Sequence, residues 1–218
     1  MRPESSACRG LIVSICRVGK TATSPERILE RAIVVLQESG EAGIRTHQIA
    51  EDCGVTAPIL YRAFGDREGL IVAAQAARYE RSMLFGLHDF APAVAGCTNG
   101  DEFRQLMVSL SDSRNSLGRH DDRRIRVEVL GAASTRPRLR EKVNEANKRA
   151  ADSVEPLFRM AADKGWMRSD FDIRAAIMWW IGMMTGRVMI EMADGEFDQD
   201  AWSDIARRTM LHLLFGDR

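Results

Sequence analysis

Residues 44–65, IRTHQIAEDCGVTAPILYRAFG, hold two helix-length segments on either side of Gly54, and neither segment is long enough to stand as a helix alone. Ile44, Ile49, Ala50, Val55, Leu60 and Phe64 recur at helical spacing, and Gly54 supplies the permissive backbone of a sharp turn. Two such helices can bury one face only against a third. Upstream, Ile28, Ala32, Val35 and Leu36 form its apolar stripe, introduced by Ser24-Pro25-Glu26 as N-cap, first-turn proline and acid at the positive helix end. Thr46 and Thr56 are placed to cap the second and third helices. The pattern predicts a three-helix head containing a helix-turn-helix, with the third helix exposed on its polar side.

Gly65-Asp66 breaks the chain again, and a long fourth helix follows from about Arg67, with Leu70, Ala73, Ala74, Ala77 and Leu84 on one side. Beyond a loop from Pro92 to Gly100, helices are predicted near 101–115, 119–133, 137–163, 172–193 and 199–215. Pro137, Asp172 and Asp198 mark starts, Gly165 and Gly195 mark stops, and Pro156 is expected to kink the helix that holds it. No stretch is strand-rich. The chain reads as all-α: a flexible N-terminal arm over 1–23, a helix-turn-helix head over 24–68, and a larger helical body over 69–218 joined to the head by the long fourth helix.

Composition narrows the function classes. With 45% hydrophobic and 28% charged residues, 218 residues suffice for one sizeable core and a smaller satellite. Lys plus Arg equals Asp plus Glu at 31 each, so overall charge announces neither a nucleic-acid nor a membrane binder. Between Ser24 and His88, Arg27, Arg31, Arg45, Arg62, Arg67, Arg78 and Arg81 face nine acids, so any DNA affinity rests on a few local groups: Arg45, Arg62 and Arg67, with Arg9, Arg17 and Lys20 in the arm. Cys8, Cys16, Cys53 and Cys97 lack the paired spacings of a zinc site or disulfide framework, which suits a reducing cytoplasm. Leu11 to Cys16 is too short for a secretory core, and Ala175 to Gly186 too short for a membrane span.

The run RTHQIAEDCGVTAPILYRAFGDREGLI, residues 45–71, resembles the TetR family of bacterial transcriptional regulators. The resemblance spans about residues 25–85, and the later runs GRVMIEMADG and AWSDIARRTMLHLLFG are family-like. It implies that Thr46, Thr56, Tyr61 and Arg67 contact DNA phosphates, Arg67 standing where lysine is more frequent. The chemistry agrees: a phenol donates to an anionic oxygen, and a guanidinium grips phosphate through two N–H groups. His47 matches a position from which some members reach a base, and Gln48 is adjacent. In the third helix only Arg62 is a strong base reader, while Ala57 and Ile59 can meet thymine methyls and Pro58 allows close approach.

The resemblance also makes the body a ligand-binding and dimerisation domain. The last two helices are expected to pair with their mates across a two-fold axis, with Ile181, Gly182, Gly186, Val188, Trp202, Ile205, Met210 and Leu213 at the interface. The helix around AAIMWWIGMMTG is apolar almost all round and is predicted to be buried on more than one side. Phe85, Phe103, Met107, Met160, Trp179 and Met183 are candidates for an effector pocket, and equally for an ordinary core. The expected partners are an inverted-repeat operator in double-stranded DNA, a small apolar or amphipathic effector and a second copy of the chain, with no cofactor, metal or membrane. The function expected is repression relieved by the effector. An activator, a ligand-independent regulator, or a helical interaction protein that has lost DNA binding are the alternatives. An enzyme is not expected, because His47, His88, His120 and His212 are dispersed and no activated nucleophile stands out.

Overall fold

The computed structural model describes residues 23–84, 87–111, 120–193 and 195–217. Every regular element among them is helical, and the chain divides into two compact units with the boundary between Gln75 and Ala76. The expected arm falls almost wholly outside the described residues. No helix among the described residues is long and apolar enough to cross a membrane.

The head comprises α1 (Ser24–Ser39), a 3-10 turn (Glu41–Gly43), α2 (Thr46–Asp52), α3 (Ala57–Phe64) and the start of α4 (Arg67–Leu84). The cap of α1 is Thr23 and not Ser24: its backbone N–H donates to the Glu26 carboxylate at 2.7 Å, three residues into the helix. Ile28, Ala32, Leu36, Ile44, Ile49, Ala50 and Leu60 are buried as their periodicity predicts. Val35, Val55 and Phe64 are only half-buried, and Ile33 takes the core place expected of Val35. Gly54 (φ 62°) and Gly65 (φ 81°) bracket α3 in the left-handed region, which glycine enters without a steric penalty. The head extends past residue 68 because α4 is tied into it. Arg67 Nε donates to Ile44 O at 2.8 Å and its Nη2 to Glu41 O, while Gln75 Nε2 reaches the Glu41 carboxylate at 3.3 Å.

The body holds the rest of α4 with α5 (Leu87–Gly96), α6 (Gly100–Ser111), α7 (His120–Thr135), α8 (Pro137–Asp163), α9 (Ile173–Gly186), α10 (Val188–Glu191) and α11 (Gln199–Phe215). Two expectations are corrected. Pro92 lies inside helix α5, not in a loop, because the burial of Phe90 and Val94 outweighs the one hydrogen bond that proline removes. The span 172–193 is two helices, interrupted at Arg187, whose side chain turns inward. Helix α8 continues through Pro156. Asp172 and Asp198 cap α9 and α11 as read: Asp172 accepts from Ala175 N at 2.8 Å, and Asp198 from Asp200 N and Ala201 N at 2.9 Å.

Phe103 is the centre of the body core, with the rings of Phe158, Trp166 and Phe215 each within 6.2 Å of its own. The last two turns of α4 are fastened to this body by polar bonds. Arg78 makes a two-pronged contact with Glu128 at 3.0 and 3.1 Å, and Tyr79 donates to Asn147 at 2.8 Å.

Gly131, on α7, has nothing within 4 Å of where a Cβ would stand. Gly131→Ala is expected to stabilise the protein by about 0.5–1 kcal/mol, the helix cost of glycine, and a denaturant midpoint that fails to rise would contradict this.

Candidate functional site

Two places in the molecule gather the side chains expected to carry function. The first is the outer surface of α2 and α3. Thr46 does not cap α2. Arg45 occupies the cap position, and Thr46 is the first helical residue, buried, with its hydroxyl 3.0 Å from the Tyr61 hydroxyl. Two hydroxyls share one proton in that bond, so the second proton stays available to an oxygen anion outside. Two of the expected phosphate contacts are therefore one hydrogen-bonded pair. Thr56 occupies the cap position of α3 without a side-chain cap bond and is exposed.

Pro58 carries no N–H, and Ile59 N is already bonded to Thr56 O at 3.0 Å, so the start of α3 offers an anion few backbone donors. The side chains of Arg45, His47 and Arg62 are exposed. The expected phosphate contact Arg67 is placed differently: it is exposed, but Nε and Nη2 serve the carbonyls of Ile44 and Glu41. Its first role is to hold the turn before α2. Gln48 is likewise engaged, donating to Asp52 at 2.9 Å, while Arg31 holds the same carboxylate at 2.7 Å. The Gln48 bond and the Arg31 contact hold the Asp52 carboxyl below its ordinary value. Ala57 and Ile59 are half-buried and Pro58 exposed, a low apolar step between Thr56 and Arg62.

The second place is a cavity of about 290 Å³ in the body. Met107 and Trp179 are among its lining, with Phe90, Val154, Phe158, Ile177 and Trp180. The other pocket candidates lie elsewhere. Phe103 is fully buried in the aromatic core, Met160 packs against that core, Met183 is half-buried away from the cavity, and Phe85 lies outside the described residues. Two lining residues that periodicity did not single out are charged: Arg123 and Arg126, both buried on α7. Their sequence neighbours, His120 to Arg126, look like a solvated helix face, so only packing could reveal them.

The expected interface residues divide. Gly182 and Ile205 are exposed, Ile205 at 66%, and Ile181, Gly186, Trp202 and Leu213 are half-buried. Val188 and Met210 are buried within the chain itself. Helix α9 buries Ile173, Ile177 and Thr185 and leaves Met178, Trp179 and Gly182 exposed, so within one chain it is covered on one side rather than on several.

Beside the cavity lies an ion cluster that sequence reading missed. Glu191 accepts from Arg123 Nε at 3.1 Å and from Arg123 Nη2, contacts His120 Nδ1 at 2.8 Å and pairs with Arg187 Nε at 3.2 Å. Arg187 Nη1 donates to Ser203 at 2.9 Å. Burial pushes the Glu191 carboxyl up, but the bonds from Arg123 and His120 outweigh it and leave it below its ordinary value. Burial, with the nearby charge of Arg123, lowers Arg187.

Comparison with known proteins agrees with this geometry. Residues 28–74 match the family described as bacterial regulatory proteins, tetR family. A structure described as a TetR-family transcriptional regulator from Mesorhizobium loti superposes with a TM-score of 0.64 at 16% identity, covering 90% of this chain and 99% of that one. The transcriptional regulator FadR from Bacillus subtilis, in complex with stearoyl-CoA, gives 0.52 at 18% identity over 88% and 98%. A transcriptional regulator from Saccharomonospora viridis, in complex with choline, gives 0.56 at 16% over 88% and 97%. No curated protein matches the chain in sequence. The sequence match lies in the helix-turn-helix head, where residues 28–74 are similar to the tetR family of bacterial regulatory proteins, and the chain shares the fold of the solved transcriptional regulators.

Proposed function

We propose that this regulator is a cytoplasmic homodimeric repressor that binds an inverted repeat through α2 and α3 and leaves it when a small apolar or amphipathic molecule enters the body cavity. The observation that carries the DNA half is the Thr46–Tyr61 hydroxyl pair, 3.0 Å apart, on the surface that also exposes Arg45, His47 and Arg62. Thr46, Thr56 and Tyr61 then take phosphates, with Arg67 supporting the turn and adding charge. His47 and Arg62 meet base edges, Gln48 does so once it leaves Asp52, and Ala57, Pro58 and Ile59 approach the thymine methyls. Helix α4 supplies the coupling, since Arg67 and Gln75 bind its start into the head and Arg78 and Tyr79 bind its end into the body. A ligand preferring one body shape would bias α4 and so the spacing of the two reading helices. The relatives' ligands, a coenzyme A thioester and a quaternary ammonium, differ in charge, so neither transfers by likeness of fold.

Selection of genomic DNA by the purified protein tests this: enrichment of an inverted repeat is expected, and no enrichment even at low salt would leave an interaction protein as the better reading. Tyr61→Phe is expected to weaken binding to all sequences alike, by about 1 kcal/mol. His47→Ala and Arg62→Ala change sequence preference instead, Arg62→Ala costing about 1–3 kcal/mol at its own base pair. Equal losses on every sequence for all three variants would sink the assignment.

The dimer half rests on the exposed apolar residues of the last helices, among them Met178, Trp179 and Ile205. Gly182 has no neighbour within 4 Å of a would-be Cβ inside the chain. Gly182→Leu and Ile205→Asp should therefore give a monomer by light scattering with unchanged helical content; a dimer persisting in both variants would place the interface elsewhere.

A further inference from the structure

One chain does not finish the wall of the body cavity. Phe90, Met107 and Val154 line it from within the core, whereas Trp179 and Leu110 line it while 41% and 43% exposed. Ligand cavities cover roughly 70–90% of a small molecule's surface, so an indole left this far in water marks a rim that still needs a cover. Trp179 also belongs to a second surface. Ala175, Met178, Trp179 and Gly182 are exposed at helical spacing on α9 as an uncharged stripe, while Ile177, Trp180 and Ile181 of the same helix line the cavity. Cavity wall and uncovered stripe thus meet along one edge of α9, and whatever covers the stripe covers Trp179. The stripe suits a second copy of itself. Gly182 leaves a notch, with nothing within 4 Å of a would-be Cβ, and the exposed Met178 projects one turn away. A two-fold contact sets the same patch on both sides, so notch and knob each find their complement.

We propose that the second copy completes the effector cavity: α9 of one chain lies along α9 of the other, covers Trp179 and closes the rim, so that the site is whole only in the dimer. This rests on the reading of the chain as a dimer with a ligand-binding body. The cavity, about 290 Å³ within one chain, stands just under the ~300–1,000 Å³ of ligand cavities, which fits a site that lacks part of its wall. Covering a further ~55 Å² of apolar ligand surface is worth about tenfold in affinity. The coupling is reciprocal. A site that binds about tenfold more tightly in the dimer makes saturating ligand tighten the dimer about a hundredfold, because both sites contribute.

The test uses the full-length protein and N-phenyl-1-naphthylamine, an uncharged probe that fluoresces on entering apolar surroundings. It is titrated against the parent at concentrations on either side of dimer dissociation, and against Ile205→Asp and Gly182→Leu, which alter the outer face and not the cavity lining. Probe affinity is expected to fall at least about tenfold in the monomers, and saturating probe to lower the dimer dissociation constant about a hundredfold by sedimentation. Equal probe affinity in monomer and dimer, or a dissociation constant that the probe leaves unmoved, overturns the proposal while the cavity stands as a ligand site of one chain. A dimer that binds no probe overturns it together with the ligand reading, and a chain that stays monomeric at every concentration overturns it together with the dimer reading. The parent's dilution series decides the matter even if the variants do not fold, and the variants decide it if the parent dimer is too tight to dilute apart.

Discussion

Glu191→Leu is expected to lower the unfolding free energy by about 3–5 kcal/mol, the usual consequence of removing one partner from a buried ion pair. Glu191 is the carboxylate that Arg123 and Arg187 share, and both guanidinium groups are buried almost completely. Leucine replaces the carboxylate with an apolar surface that cannot answer them, so the fold must either open to water or hold two charges against each other. Chemical denaturation followed by circular dichroism measures the loss, and a midpoint equal to the parent's would show that Glu191 does not hold the cluster. Arg123→Met combined with Glu191→Leu should recover part of the stability, because one buried cation leaves with its counter-charge. The pH dependence has a definite sign. A carboxyl held below its ordinary value in the folded state contributes stability that is complete above 4.5, the ordinary glutamate value, and that is lost as pH falls through the lowered folded value. Acid should therefore destabilise the parent more steeply than Glu191→Leu in that range.

Gly69→Ala is the second large effect, and here helix propensity and packing oppose each other. Alanine is the better helix former by about 1 kcal/mol, so propensity alone favours the change. In place, however, the new Cβ would stand 1.9 Å from the carbonyl oxygen of Phe64, a backbone atom that cannot rotate away. Overpacking against rigid neighbours costs about 1–3 kcal/mol and sometimes more, so the clash wins. The close approach exists because the chain turns sharply from α3 into α4, with Gly69 N donating to Asp66 at 2.6 Å to start the new helix. Relief would move α3 relative to α4, and with it Tyr61 and Arg62. The expected result is an earlier unfolding transition together with weaker DNA binding, whereas unchanged stability would mean that the turn yields freely.

How much of the site could be read beforehand varies residue by residue. Leu60 and Ile49 were legible as core because an apolar side chain at helical spacing has one low-energy place to go. The Thr46 hydroxyl was not, since capping and bonding to Tyr61 are equally good uses of a hydroxyl, and only the distance between α2 and α3 selects one. Arg67 was legible only in part: its exposure beside the helix-turn-helix could be read, but its bonds to the carbonyls of Ile44 and Glu41 could not. Arg123, Arg126, Arg187 and Glu191 were the least legible. Charged residues at helical spacing resemble a solvated face, and the burial of Arg123 and Arg126 goes with bonds across 68 and 44 residues of sequence and not with any local pattern.

By itself the sequence determined the all-helical class, the helix-turn-helix head and most of its core. These depend on local periodicity, turn glycines and first-turn residues, whose energetics act within a few residues along the chain. Tertiary structure alone decided which arginines face the cavity, which carboxylate holds Arg123, which hydroxyls pair on the outer surface of α2 and α3, and where a single methyl group cannot fit. Those outcomes depend on distances between helices far apart in sequence, and a buried charge or a close backbone contact takes its energy from that neighbourhood.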